Sequence, residues 1–205
     1  MQFLIGFVLL FPLFMMAVVI HEVSHGWVAL SCGDSTALRA GRLTLNPLKH
    51  MDLVGTFILP LLLLVLKAPF VFGWAKPVPV NFLELRHPKR DMLWVGAAGP
   101  ISNYILAAIA AFFLKLSAPL DLPLVSLPLH YLVFLNLVLG TFNLLPIPPL
   151  DGSRILTSLL PLRFARVMIG LERWGIVLVM ILLYCGVTER ILWPVVSWLA
   201  KALGI

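Results

Sequence analysis

The sequence predicts an all-α polytopic membrane protein with about five to six hydrophobic segments and a short re-entrant or extended β-like element. Composition is the first reason: 61% of the 205 residues are hydrophobic and 12% are charged, with a mean hydropathy of +1.04, well outside the balance of soluble domains. The second is the spacing of uncharged runs, several of which approach the length needed to cross a bilayer. The third is where the basic residues fall. The net charge of +6 is scattered over short loops between apolar runs, where Lys and Arg act as orientation signals, so binding to nucleic acid is excluded. A chain of this length fits one domain over 1–205, with a core over about 3–160 and a C-terminal membrane segment over about 167–205.

The first uncharged run, Met1 to His21, is continued past Glu22 by an apolar stretch through Leu30, ending at the turn-forming Ser31-Cys32-Gly33-Asp34-Ser35. It lacks a charged start and a cleavage site, so it reads as a retained helix rather than a secretory signal. Within it lies His21-Glu22-Val23-Ser24-His25. Residues four apart share a helix face, so both imidazoles can address one metal ion with Glu22 beside it. Ionisable groups are rarely tolerated inside an apolar span without a partner or a cavity. Neutral imidazoles suit Zn²⁺, which at catalytic sites takes three protein ligands and leaves one position open, and the neighbouring carboxylate is placed to act as a base.

Leu53 to Leu66 offers only 14 uncharged residues, about 21 Å of helix against a core of about 30 Å, so it either thins the bilayer or re-enters. Pro69 to Asn81 is apolar but crowded with Pro69, Pro77 and Pro79, which favours extended backbone. Such backbone is tolerated at membrane depth only when buried in protein or lining a wet cavity. Met92 to Leu114 reads as a span carrying Gly96, Gly99 and Pro100, small residues for close helix approach and a kink. Leu129 to Leu145 returns and ends at Pro146-Ile147-Pro148-Pro149-Leu150-Asp151-Gly152; a loop with Arg154, Arg163, Arg166 and Arg173 precedes a last span from Trp174 to about Thr188. The excess of Lys and Arg puts the loops at 32–52, 84–91 and 150–173 in the cytoplasm and the N-terminus outside. Cys32 and Cys185 read as buried, unpaired residues.

A third metal ligand must come from Asp151, Asp34, Asp52, Glu84, Asp91, Asp121, Glu172, Glu189, His50, His87 or His130. Asp151 stands out because it ends an apolar span at a proline cluster, on backbone expected to line a cavity at the membrane's inner edge. The alternative is an ordinary loop aspartate opening a turn with Gly152. His50, His87 and His130 read as interfacial or hydrogen-bonded, Ser102 and Asn103 as ties between helices, and the tryptophans as interface anchors.

HEVSH in the first span, GWAKPVPVN from Gly73 to Asn81, AGPISN from Ala98 to Asn103 and FNLLPIPPLDG from Phe142 to Gly152 together resemble the site-2 protease family of intramembrane zinc metalloproteases, in its compact form without PDZ or CBS domains. The resemblance implies that His21, His25 and Asp151 bind zinc, that Glu22 is the general base, and that Asn143 contacts the substrate or transition state. It also implies that the 73–81 stretch is an edge strand receiving a transmembrane or membrane-anchored protein substrate within the lipid bilayer. In an extended Lys76 to Val80 the N–H groups of Lys76, Val78 and Val80 point to one edge, so substrate is expected to pair there by β-augmentation. Two other classes remain: a zinc-binding membrane transporter, which calls for several ligand clusters along a path, and a catalytically silent binding protein, which usually lacks an essential residue.

Overall fold

The computed structural model describes residues 2–67, 73–120, 122–186 and 188–205; Pro69 to Phe72 and Asp121, both invoked above, lie outside them. Helix α1 (Gln2–Ser31) runs through Pro12 and stops where Gly33 turns the chain at a positive φ of 111°, a conformation glycine adopts without a Cβ penalty. A short α2 (Thr36–Arg39) follows. A π-helical turn (Leu53–Ile58) leads into α3 (Leu59–Val65). Together, over Leu53–Val65, they form an apolar helical stretch shorter than the membrane-length helices of the described chain.

The hub is α4 (Pro88–Ser117), which packs against α1, α5 (Pro123–Asn143) and α6 (Asp151–Leu159). Its pattern is that of a helix in lipid. Ile101, Ile105, Ile109, Phe112 and Leu116 are exposed on one side, while Gly96, Gly99, Asn103, Ala107, Ala110 and Ala111 are buried on the other. Lipid tails are as apolar as leucine, so association comes from close packing of small residues rather than from hiding large ones.

The chain continues through α7 (Leu162–Leu171) and α8 (Gly175–Tyr184), joined by a single turn of 3₁₀ helix. A final α9 (Trp193–Ala202) folds back so that Val196 and Ala200 pack on Ala107, Ala110 and Ala111 of α4 and Val133 and Leu137 of α5. Among the described residues four helices are long and apolar enough to cross a membrane, over Leu10–Ser31, Pro88–Ser117, Pro123–Asn143 and Arg163–Tyr184.

Three expectations need correction. Residues 151–171, read from their arginines as loop, are mostly helical because Ile155, Leu156 and Leu159 recur at helical spacing behind the proline cluster. Asp151 therefore occupies the first turn of α6, not irregular backbone. Cys185 is exposed because it lies just past the end of α8. His50, one of the histidines read as interfacial or hydrogen-bonded, is hydrogen-bonded: it is fully buried, and its Nε2 lies 2.8 Å from the Thr44 carbonyl.

Residues 73–81 form neither helix nor turn, and no β-strand is formed among the described residues. Local anchors fix them instead. Trp74 N–H donates to the Gly55 carbonyl (3.1 Å) and Lys76 N–H to the His50 carbonyl (2.8 Å). Arg42 donates to the carbonyl of Lys76 (2.8 Å). At the far end Asn81 N–H donates to Asp34 Oδ2 (2.7 Å). Burial pushes the Asp34 carboxyl up, yet the hydrogen bonds from Thr36 and Asn81 and the charge of Arg39 outweigh it and hold the group below its ordinary range.

Candidate metal centre

Three helices and one turn build the centre. At about 1.5 Å per residue His21 lies about 15 Å along α1 from Ser31. His25 stands one turn further, on the same face. Asp151 opens α6 after the turn at 144–150. Ser153 holds that turn by donating its hydroxyl to the Leu150 carbonyl (2.7 Å), and a Cβ on Gly152 would come within 2.1 Å of the Leu144 carbonyl oxygen. The sharpness of the turn depends on that missing side chain.

His21, His25 and Asp151 are all buried. The two Nε2 atoms stand 3.1 Å apart, and Asp151 Oδ2 lies 3.1 Å from that of His21 and 3.2 Å from that of His25. Three ligands at about 2.0–2.1 Å from a tetrahedral centre are about 3.3 Å from one another, so this triangle has nearly the size such an ion requires. The donor chemistry agrees. His25 Nδ1 lies 2.6 Å from the Val95 carbonyl, which can only accept, so in the neutral ring the proton is on Nδ1 and the Nε2 lone pair points inward. His21 Nδ1 lies 2.6 Å from Asn103 Oδ1. Asp151 Oδ2 is buried with no hydrogen-bond donor. Acceptors gathered this closely away from water call for a cation.

Gly99 of α4 makes the gathering possible. A Cβ there would lie 2.4 Å from His25 Nε2 and 2.5 Å from His21 Nε2, in the space where the ligand atoms converge. Gly96, a turn earlier, lets α6 approach in the same way, with the Asp151 carbonyl oxygen 3.3 Å from where its Cβ would stand. The small residues read from the sequence as helix-packing devices thus also open the centre.

The other site residues are placed as follows. Glu22 accepts from Val78 N–H at 2.8 Å, which ties the 73–81 stretch to the centre. Lys76 N–H is likewise engaged, so the donor edge of Lys76, Val78 and Val80 is not free as expected: two of its three N–H groups have internal partners. Asn143, the last residue of α5, donates from Nδ2 to the Leu139 carbonyl (2.9 Å) of its own helix. Other candidate ligands have separate tasks: Asp52 caps the turn at Gly55 (2.7 Å), Asp91 accepts from His87 N–H (2.8 Å), and Glu84 pairs with Arg39. Asn103, read as a tie between helices, is the residue whose contact with the centre sequence reasoning missed. The Val95 carbonyl was missed as well, and a backbone oxygen carries no sequence signal.

Comparison with known proteins gives a consistent family. The profile described as peptidase family M50 matches residues 120–182, the part that contains Asp151. The "Putative zinc metalloprotease YwhC" of Bacillus subtilis is 40% identical over 86% of this chain and 80% of its own length. The "Putative zinc metalloprotease Rip2" of Mycolicibacterium smegmatis is 28% identical over 97% of this chain and 75% of its own. The "Zinc metalloprotease MJ0392" of Methanocaldococcus jannaschii is 28% identical over 76% of this chain but 35% of its own length. No solved structure matches. With four membrane-length apolar helices and a relative this similar over most of both chains, the protein is a multi-pass membrane member of peptidase family M50, the site-2 protease family.

Proposed function

We propose that this protein is an intramembrane endopeptidase that cuts peptide bonds in or near the transmembrane segments of membrane proteins, with one zinc ion held by His21 Nε2, His25 Nε2 and Asp151. The observation that carries the reading is the triangle of three buried acceptor atoms, 3.1 to 3.2 Å on a side. Bound there, zinc supplies a Lewis acid that polarises a carbonyl and brings the pKa of water to about 7. Glu22 takes the proton from the attacking water and passes it to the leaving amine. Asn143, turning from Leu139, donates to the developing oxyanion, a contact typically worth about 2.7–4 kcal/mol.

A substrate helix hides its carbonyls in its own hydrogen bonds and must unwind to be cut. Lys76, Val78 and Val80 offer replacement partners, but Lys76 and Val78 do so only by giving up the His50 carbonyl and Glu22. Substrate pairing therefore releases the base as the substrate arrives. The excess of Lys and Arg in the loops supports a centre facing the cytoplasm with the N-terminus outside. The transport reading calls for further ligand clusters along a path, and among the described residues His21, His25 and Asp151 form the only such group.

The test is to purify the wild type and Glu22→Gln, measure zinc in both, and present both with a panel of single-pass membrane proteins. Equal zinc with cleavage by the wild type alone is the expected result; equal cleavage by both refutes the assignment.

A further inference from the structure

Asn103 and Asn136 are both fully buried, at depths where an amide is costly unless all its groups are engaged. They form a line of hydrogen bonds whose directions follow from one end. Asn136 reaches the Leu132 carbonyl at 2.8 Å, and a carbonyl can only accept, so the Asn136 NH₂ faces it and its oxygen faces away. That oxygen lies 2.9 Å from the Asn103 amide nitrogen, which must donate. Asn103 Oδ1 is then left to face His21 Nδ1 at 2.6 Å. It has nothing to donate, so in the neutral ring the proton sits on His21 Nδ1 and the lone pair on Nε2. Amide orientation is otherwise ambiguous, and here the network settles it.

Resting on the metal-site reading above, we infer that Asn103, oriented by Asn136, is a positioning residue that locks His21 in the Nδ1–H tautomer and so presents Nε2 to the metal. The two histidines reach the same state by different routes: His25 leans on a backbone carbonyl, whereas His21 depends on a pair of side chains from α4 and α5. An outer partner of this kind typically changes metal affinity 10- to 100-fold. Nothing in the lock touches the substrate or the reacting atoms.

Two readouts test it on the full-length protein in detergent, and neither uses activity. The ¹⁵N shifts of the His21 ring in zinc-free protein, at a pH where the ring is neutral, report which nitrogen carries the proton. Nδ1–H is expected in the wild type and in Asn103→Asp, which keeps the oxygen facing His21 but loses the donor to Asn136 Oδ1, while Asn103→Leu and Asn136→Leu give mixed tautomers. Zinc affinity by chelator competition should then fall about 10- to 100-fold in Asn103→Leu, less in Asn136→Leu, and stay near wild type in Asn103→Asp. A merely structural asparagine would lower thermal stability without moving the tautomer. Should Asn103→Leu fail to fold, Asn103→Asp and Asn136→Leu still decide the matter. An Nε2–H ring in the wild type, or a wild-type tautomer and zinc affinity in the Leu variants, overturns the inference. A wild type that binds no zinc at all would instead overturn the metal-site reading.

Discussion

The two halves of α4 are built from the same materials and do different work. From Val95 to Asn103 the buried side is Val95, Gly96, Ala98, Gly99, Pro100 and Asn103; from Ala107 to Leu114 it is Ala107, Ala110, Ala111 and Leu114. In the first half the missing side chains make room for two imidazoles and the backbone of α6, and in the second for alkyl groups of α5 and α9. A small residue in a membrane helix thus means close approach. What it admits is decided by the partner, which is why a packing face and a metal centre can share one helix.

Substitutions in each half should separate those roles. The largest effect is expected from Gly99→Ala. Its methyl group would lie within about 2.5 Å of both Nε2 atoms, so zinc content should fall far below one per chain and turnover by about a thousandfold or more, the upper range for losing a single electrostatic stabiliser; metal analysis and a cleavage assay check both. Next comes Val78→Pro, which removes the N–H that Glu22 accepts and with it a donor proposed to pair with the substrate, and leaves the ligands alone. Losing one backbone hydrogen bond to the substrate, at about 0.5–1.5 kcal/mol, corresponds to about a 2- to 10-fold loss of turnover with zinc unchanged. The smallest catalytic effect belongs to the outer half. Ala111→Leu overfills the contact with α5 and α9 and should cost about 1–3 kcal/mol of stability, seen as a lower melting temperature, while zinc affinity stays at the wild-type value because position 111 is about 18 Å along the helix from Gly99.

What could be read from sequence follows the same division. The pairing of His21 with His25 was legible because four residues make one helical turn, and polar groups inside an apolar run are conspicuous. Asp151 was conspicuous for ending such a run, but its helix was not: Pro146, Pro148 and Pro149 and the arginines beyond suggested loop, and the helical spacing of Ile155, Leu156 and Leu159 was overlooked. The contact between Asn103 and His21 was illegible for a physical reason. An asparagine in a span has the same signature whether it ties two helices or orients a ligand, and this one does both, touching Asn136 on α5 and His21 on α1. The Val78 bond to Glu22 was hidden because its donor is backbone, and only the extended character of its segment could be inferred from the prolines.

The contrast between the halves of α4 finally rests on a metal ion in the inner one. The most direct measurement is zinc K-edge X-ray absorption of the purified protein loaded with one equivalent of zinc, in the wild type and in Asp151→Ala. Two imidazole nitrogens and a carboxylate oxygen at about 2.0–2.2 Å, with the oxygen contribution reduced in the variant, is the predicted result. A first shell without histidine, or one identical in the two proteins, would contradict the account.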